Sequence, residues 1–208
     1  MLDRRQPDLT VLMERVHKPH NLSAILRSCD AVGVLEAHAV PAPGGLELPA
    51  ASSAGSSKWL PIRRHPDVAA AVAALRSLSF HVVAAHPEGT RDYRDVDFTR
   101  PTALLMGTEL HGLSTEGLAL ADERVMVPMM GMVPSLNVSV ATALLLFEAF
   151  RQREAAGLYA ARRLDPERYQ RLLFEWGYPQ LAHRLREEGR PYPPLARDGS
   201  IDPTHLPR

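Results

Sequence analysis

His81-Val-Val-Ala-Ala85 and Thr102-Ala-Leu-Leu-Met106 are two short runs of almost entirely apolar residues. Strands without a regular alternation of apolar and polar residues are typical of a parallel sheet that is covered on both faces. Between such runs the sequence changes to helical spacing. This alternation predicts an α/β domain with a mostly parallel sheet and helices on both faces.

Further elements are predicted around these two runs from apolar spacing and from turn residues. Strands are predicted at residues 9–16, 37–40, 59–63 and 123–129. Helices are predicted at residues 21–32, 66–77 and 136–154, and the first of them ends at Gly33. Residues 41–57 are rich in Gly, Ala, Ser and Pro, which predicts a loop or a broken helix.

From Gly157 onward the pattern changes to two short helical stretches, residues 166–176 and 179–188, and then to a Pro-rich tail. We expect the tail to be loose beyond Pro194. The sequence therefore predicts a domain of residues 1–156 followed by a basic helical extension of residues 157–208, packed on the core or on a partner subunit.

Charge is distributed unevenly along the 208 residues, although the formal net charge is zero. Residues 31–150 carry a net charge of −4, whereas residues 151–197 carry +4. Of the 24 cationic residues, 22 are Arg. Codon bias explains this preference equally well, but a guanidinium also forms paired hydrogen bonds with phosphate oxygens better than an ammonium does.

Several classes of protein are disfavoured. The single cysteine, Cys29, excludes an internal disulfide and a multi-thiolate metal site, and we expect no metal. No apolar run approaches the ~20 residues of a membrane span. The N-terminus also lacks an apolar signal segment, so we expect a cytoplasmic protein that does not associate with a membrane. Neither G-x-G-x-x-G after the first strand, nor a P-loop, nor G-x-S-x-G is present.

Three clusters of residues are candidates for chemistry. The first is Asn21-Leu-Ser-Ala-Ile-Leu-Arg27, at the start of a predicted helix. Asn is a favoured N-cap, so Asn21 has a purely structural interpretation. Arg27 has no such explanation, because it lies among apolar residues where an open α/β sheet places its ligand crevice.

The second cluster is Leu105-Met-Gly-Thr-Glu-Leu-His-Gly-Leu-Ser114, in which Gly107 and Gly112 bracket a turn that contains Glu109. Glycines permit positive φ and close approach of the backbone to a ligand, although an ordinary turn between a strand and a helix has a similar composition. A lone Glu in a turn is more often solvated than functional.

The third cluster is Val127-Pro-Met-Met-Gly-Met-Val-Pro-Ser-Leu-Asn-Val-Ser-Val140. Ser135 is the predicted N-cap of the long helix that follows. A capped helix does not account for the apolar, Met-rich loop before it, which is suited to form a wall against a flat aromatic ring or a thioether.

In this order the three clusters resemble the three motifs of the SpoU class of RNA ribose methyltransferases, within the SPOUT superfamily. Asn21 and Arg27 match the first motif, Gly107, Glu109 and Gly112 the second, and Val127-Pro128 with Ser135-Leu-Asn-Val-Ser139 the third. The resemblance extends over almost the whole chain. Residues 4–34, 132–159 and 171–182 are similar to the members that methylate guanosine 18 in the D-loop of tRNA.

This resemblance implies a deep trefoil knot in the C-terminal half of the sheet domain, a homodimer, and S-adenosyl-L-methionine as methyl donor. It implies that the donor is held by five residues, Ala85, Met106, Gly107, Val127 and Leu136. It implies that the reaction depends on five others, Arg27, Asn21, Glu109, Ser135 and Asn137. A guanidinium normally stays protonated. We therefore expect Arg27 to bind a phosphate beside the target ribose and to stabilise the developing alkoxide, with the other four as orienting groups.

The basic segment is expected to contact tRNA phosphates through six arginines, Arg151, Arg153, Arg162, Arg163, Arg168 and Arg171. Similar proteins usually begin with a further short helix before Arg4. Either the start of this sequence is misassigned, or tRNA contact relies more on the C-terminal segment. Three other functions stay open: methylation of rRNA or of another tRNA position, a non-catalytic RNA-binding protein, and a small-molecule enzyme.

Overall fold

The computed structural model describes residues 1–42, 59–196 and 198–201. In this part of the chain the strands are β1 (Leu9–Glu14), β2 (Ala37–Val40), β3 (Ile62–Arg64), β4 (His81–Ala85), β5 (Arg91–Asp92), β6 (Thr102–Met106) and β7 (Glu123–Met126). The α-helices are α1 (Pro19–Ala31), α2 (Val68–Ser77), α3 (Thr115–Leu120), α4 (Val138–Ala155), α5 (Pro166–Gly177) and α6 (Pro179–Glu187). None of these helices is long and apolar enough to cross a lipid bilayer.

The strands form one parallel sheet in the order β3-β2-β1-β6-β4-β7-β5. The two apolar runs at residues 81–85 and 102–106 are adjacent strands, paired in register from His81 with Thr102 to Ala84 with Leu105. The expected parallel sheet is confirmed. The trefoil knot stays a prediction, because strand order alone does not establish how the chain threads.

Helices cover both faces of the sheet, as the continuous apolar runs require. Alternate residues of β6 point to opposite faces. Leu104 and Met106 join the core under α1 and α4, whereas Ala103 and Leu105 join the core under α2 and α3. Since β1 and β6 are buried along their full length, neither strand has a solvent-exposed face.

One short strand and one short helix were not predicted from the sequence. Strand β5 has two residues and helix α3 has six, so neither is long enough to show a period. The helix nevertheless has a local signal, because the Ser114 side chain caps it by accepting a hydrogen bond from the Gly117 N–H at 2.9 Å. Strand β7 ends three residues earlier than predicted, at Met126. Most of the predicted loop at residues 41–57 lies outside the described residues.

The C-terminal extension packs on the domain and on itself. Tyr169 in α5 joins Leu2 and Leu35 of the domain in one apolar cluster. Phe174, from the same helix, forms a second cluster against which the tail residues Leu195 and Ile201 pack. The expectation of a loose tail beyond Pro194 is therefore wrong for Leu195 and Ile201, because these apolar side chains are partly buried.

Candidate functional site

A cavity of about 600 Å³ lies at the carboxyl ends of the adjacent strands β6, β4 and β7. This is the edge at which parallel α/β sheets bind their ligands. All five residues expected to hold a methyl donor contribute to its wall, namely Ala85, Met106, Gly107, Val127 and Leu136. The volume lies within the roughly 300–1,000 Å³ that is typical of small-molecule sites.

The floor of this cavity includes a tight turn that only glycine can form. Thr108 and Gly112 pair across it through two backbone hydrogen bonds, of 2.9 and 3.0 Å. A Cβ atom at Gly107 would overlap the Gly112 carbonyl group, and Gly112 itself has a φ of +65°. The glycine pair therefore brings the backbone of the second cluster back upon itself at the end of β6.

Glu109 occupies the middle of this turn and lines the cavity. Both of its carboxylate oxygens are shielded from solvent, and neither accepts a hydrogen bond from any residue that the structure describes. A buried carboxylate without a partner is unfavourable, since ionised groups lose their hydration when they are buried. The arrangement is suited to a ligand, or a second protein chain, that brings a cationic or hydrogen-donating group.

The third cluster forms the opposite wall of the cavity. Val127, Pro128 and Met129 extend from β7, and Ser135 returns to the cavity just before α4. The prediction that Ser135 caps this helix is wrong, since the N-cap is Asn137, whose Oδ1 accepts a hydrogen bond from the Ser139 N–H at 2.9 Å. Ser135 is exposed, and its hydroxyl makes no hydrogen bond with any residue that the structure describes.

Asn21 and Asn137 lie together although 116 residues separate them along the chain. The Asn137 Nδ2 donates a hydrogen bond of 3.2 Å to the Asn21 Oδ1. The structure excludes Asn21 as an N-cap, because α1 begins at Pro19 with Lys18 in the capping position. The side chain of Asn21 is instead buried and ties the first motif to the third.

Arg27 is exposed on α1 and is absent from the wall of the cavity. Its guanidinium makes no hydrogen bond or ion pair with any described residue. The neighbouring residues Leu26 and Cys29 are fully buried, so α1 is fixed while the Arg27 side chain extends outward. Burial raises the pKa of the Cys29 thiol, which makes it an unsuitable nucleophile.

The arginines expected to contact RNA fall into two groups. Arg151, Arg162 and Arg171 are exposed, and Arg163 and Arg168 are half-buried. Arg162 and Arg163 pair with acidic residues of the N-terminal segment, at 2.9 Å from Asp3 and 2.6 Å from Asp8. These five remain at the surface, where phosphate groups could reach them.

The prediction that Arg153 contacts tRNA phosphates is wrong, because its side chain has 0% exposure. Its guanidinium donates to the Asp8 Oδ1 at 2.7 Å, to the Gln6 Oε1 at 3.1 Å and to the Phe98 carbonyl at 2.8 Å. Two further bonds go to the carbonyl groups of Asp8 and Arg100. Every N–H of the group is thus used inside the fold, and Arg153 does not reach RNA.

Sequence reasoning missed two parts of the site. His86 and Pro87 follow β4 directly and line the cavity, and the strand-ending turn His-Pro-Glu-Gly is a signal that could have found them. Glu14, at the end of β1, accepts a hydrogen bond of 3.0 Å from the Ser114 N–H and so anchors the turn that carries Glu109. No local pattern identifies this contact, which spans 100 residues. Among the described residues, no group of three metal-ligating side chains is assembled.

Comparison with protein families gives two matches. The SpoU rRNA Methylase family matches residues 8–147, and the family described as SpoU, rRNA methylase, C-terminal matches residues 151–203. A tRNA (guanosine(18)-2'-O)-methyltransferase of Thermus thermophilus is 60% identical over 177 residues, covering 85% of this chain and 91% of that protein. The Escherichia coli protein of the same description is 50% identical over 205 residues, covering 97% of this chain and 90% of that protein.

Solved structures show the same relationship. The TrmH/SpoU tRNA modifying enzyme of A. aeolicus superimposes with a TM-score of 0.81 at 40% identity, covering 86% of this chain and 92% of that one. The SpoU methyltransferase AviRb of Streptomyces viridochromogenes, in complex with the cofactor AdoMet, has a TM-score of 0.64 at 36% identity, covering 74% of this chain and 62% of that one. The chain therefore belongs to the SpoU rRNA methylase family.

Proposed function

We propose that this protein transfers a methyl group from S-adenosyl-L-methionine to the ribose 2'-hydroxyl of guanosine 18 in tRNA. The observation that carries the proposal is the cavity at the carboxyl edge of the sheet, to which the second and third clusters contribute their backbone turns. Relatives that are 50% and 60% identical are described as enzymes for this position of tRNA.

The cavity suits this methyl donor on three counts. Its walls at Met106, Val127 and Leu136 are apolar and fit an adenine ring. The glycine turn lets the backbone approach the ligand closely. The carboxylate of Glu109, which accepts no hydrogen bond from any described residue, complements a ligand that carries an ammonium and a sulfonium. When bound, S-adenosyl-L-methionine supplies the electrophilic methyl group.

The residues of this chain then have to place and activate the ribose hydroxyl. A hydroxyl is a weak nucleophile at neutral pH, so the negative charge that develops on its oxygen needs stabilisation. Arg27 can bind the adjacent phosphate and stabilise that charge, since no described residue pairs with its guanidinium. The Asn21–Asn137 hydrogen bond holds α1 against the start of α4, and the free hydroxyl of Ser135 lies at the cavity.

A methyl-transfer assay tests the proposal directly. Unmodified tRNA transcripts are incubated with the protein and tritiated donor, and the modified nucleoside is mapped by mass spectrometry. We expect incorporation at guanosine 18 and none into a transcript with a substituted nucleotide there. Modification of another tRNA position or of rRNA would show that guanosine 18 is not the target. If no RNA incorporated the methyl group, the proposed activity would be contradicted, and a non-catalytic RNA-binding protein would be the remaining interpretation.

Replacing Gly107 with alanine should remove donor binding. The added Cβ overlaps the Gly112 backbone, so the turn that shapes the cavity has to open. We expect the dissociation constant of S-adenosyl-L-methionine, measured by calorimetry, to rise at least ~10-fold. Gly177→Ala is the matched control, since open space surrounds that position. Equal affinities in the two variants would contradict the assignment of the turn to the donor site.

We further propose that the protein is a homodimer through the exposed apolar stripe of α4. Val140, Leu144 and Phe147 follow one another at helical spacing and are exposed, and Met130 and Met132 in the preceding loop are almost fully exposed. Contiguous apolar surface of this kind marks an interface. Because Arg27 is exposed and does not line the cavity of its own chain, a second copy could bring Arg27 and a cavity together in one active site. A Leu144→Glu variant that stays dimeric in light scattering would refute this interface.

Phosphate contact by the five accessible arginines of the basic segment is proposed as the basis of tRNA affinity. Such contacts displace counterions, so we expect the tRNA dissociation constant to rise about 100-fold between about 50 and about 200 mM salt. Arg171→Gln should lower the slope of the logarithmic plot by about one. A dissociation constant that does not depend on salt would contradict this proposal.

The division into a methyltransferase domain of residues 1–156 and a basic extension of residues 157–208 is kept as part of the proposal, as is a cytoplasmic location. The two family matches end and begin near residue 150, which supports the division. A location in the cytoplasm fits a tRNA substrate.

A further inference from the structure

A second pocket, of about 270 Å³, lies at the opposite edge of the sheet from the methyl-donor cavity. It is formed where α5 and α6 cross the amino ends of β2 and β3. Trp59 and Trp176 form its apolar surface, and we call it the tryptophan pocket. Its volume is just below the roughly 300–1,000 Å³ of small-molecule sites, which suits a single nucleobase.

The aromatic surface of this pocket is held in place before any ligand binds. The rings of Trp59 and Trp176 meet edge to face with their centroids 5.4 Å apart. The guanidinium of Arg5, a buried residue, lies 5.2 Å from the Trp176 ring centroid in a cation–π contact. Stacking on a fixed indole loses less conformational freedom than stacking on a mobile one.

The polar groups of the pocket have unused hydrogen-bonding capacity. The Glu36 carboxylate lies 3.8 Å from Arg168 and 3.8 Å from Arg63, which is too far for a hydrogen bond to either. Arg171 makes no hydrogen bond or ion pair with any described residue. Among the described residues, the pocket therefore offers the Glu36 oxygens, which are ion-paired but not hydrogen-bonded, beside the unpaired Arg171 guanidinium and the two indole surfaces.

We propose that the tryptophan pocket binds one unstacked guanine base of tRNA, at a nucleotide other than the one that is methylated. Guanine has two adjacent N–H donors that match the two oxygens of Glu36, and O6 and N7 acceptors that match an arginine. Unpaired RNA bases are recognised by stacking on aromatic rings together with such edge contacts. This inference deepens the proposed function and rests on it for the source of the guanine.

The chain contains two tryptophans, and both line this pocket, so its intrinsic fluorescence reports on the pocket without a label. A purine that stacks on an indole quenches its emission. We expect unmodified tRNA to quench the emission with the same midpoint as tRNA binding measured by filter retention. Millimolar GMP should quench more strongly than AMP, CMP or UMP. Equal quenching by all four nucleotides, or tRNA binding without quenching, would overturn the proposal.

The Glu36→Gln variant separates guanine recognition from general attraction of a polyanion. The two mechanisms predict opposite changes in the dissociation constant of tRNA. Loss of a carboxylate beside phosphate groups should tighten tRNA binding if the surface acts only through charge. If Glu36 accepts from guanine, the dissociation constants of both GMP and tRNA rise, by about tenfold for tRNA. Glu167→Gln, an exposed acid on the same extension, is the matched control.

Three outcomes separate this inference from the proposed function or identify the source of the ligand. Wild-type protein that methylates guanosine 18 but shows no guanine-dependent quenching retains the function and overturns the guanine pocket. Quenching by GMP but not by tRNA identifies a free nucleotide as the ligand, which overturns the tRNA source. Quenching by both, in a protein without methyl transfer, supports the pocket and overturns the reaction.

Discussion

Arg27→Ala is expected to lower the rate of methyl transfer to tRNA by about 10²- to 10³-fold, because the variant loses the group that stabilises charge on the attacking oxygen. The affinity for S-adenosyl-L-methionine should stay within about twofold, since Arg27 takes no part in the wall of the cavity. Single-turnover methylation and calorimetry with the donor measure the two effects separately.

The fold should tolerate this substitution, because the Arg27 side chain is exposed and makes no bond to any described residue. Arg27→Lys should be almost as slow as the alanine variant, since an ammonium cannot reproduce the paired donors of a guanidinium. Arg100→Ala, an exposed arginine at the amino edge of the sheet, controls for loss of charge alone. A parallel collapse of donor affinity in Arg27→Ala would show that Arg27 belongs to the cofactor site instead.

Arg153→Met is expected to destabilise the protein by about 3–5 kcal/mol, as is typical when one member of a buried ionic network is removed. The substitution leaves the carbonyl groups of Phe98 and Arg100 without their donor and deprives Asp8 of one of its two cations. Urea denaturation, followed by circular dichroism, measures the change.

Arg151→Met is the matched control, two residues earlier on the same helix. Arg151 is exposed and pairs only with Glu148, one turn away, so no measurable loss of stability is expected. The two variants should show the reverse order of effects on tRNA binding. Arg151→Met should weaken the affinity for tRNA, whereas Arg153→Met should not. Equal denaturation midpoints for the two variants would show that the buried network is not stabilising.

The Asp8 network also makes stability depend on pH. Burial opposes ionisation of Asp8, but the hydrogen bonds from Arg153 and Arg163 outweigh it and hold the pKa of Asp8 below its ordinary value. A carboxyl whose pKa is lower in the folded state stabilises the fold above its unfolded pKa. This stabilisation is lost as the pH falls through the folded pKa. The advantage of the wild type over Arg153→Met should therefore shrink in acid.

Much of the fold could be predicted because its signals are local. The runs at residues 81–85 and 102–106 are the strands β4 and β6 with the predicted bounds. The glycine pair at residues 107 and 112 likewise identifies a turn that the backbone requires. The short elements β5 and α3 could not be predicted in this way, since periodicity needs more residues than either contains.

The composition of the candidate site was predictable only in part. The cavity residues Ala85, Met106 and Val127 were grouped before the fold was known through the family resemblance. The predicted strand ends at Ala85 and Met106 agree with that grouping, because the carboxyl ends of parallel strands lie at one edge of the sheet. That the buried Glu109 carboxylate has no hydrogen-bond partner among the described residues depends on every neighbour that shields it, and no sequence pattern encodes that. The tryptophan pocket arises because the extension packs on the domain, and its two indoles come from segments 117 residues apart.

By itself the amino-acid sequence determined the parallel α/β architecture, the glycine turn and the three motifs, because these follow from residue types over a few neighbouring positions. Only the tertiary structure decided which groups are buried and which are available. Arg151 and Arg153 are the same residue type two positions apart in one helix. Each residue turns the helix by about 100°, so these two side chains are about 200° apart and face in nearly opposite directions. Packing of α4 against the sheet then buries Arg153 and leaves Arg151 in solvent.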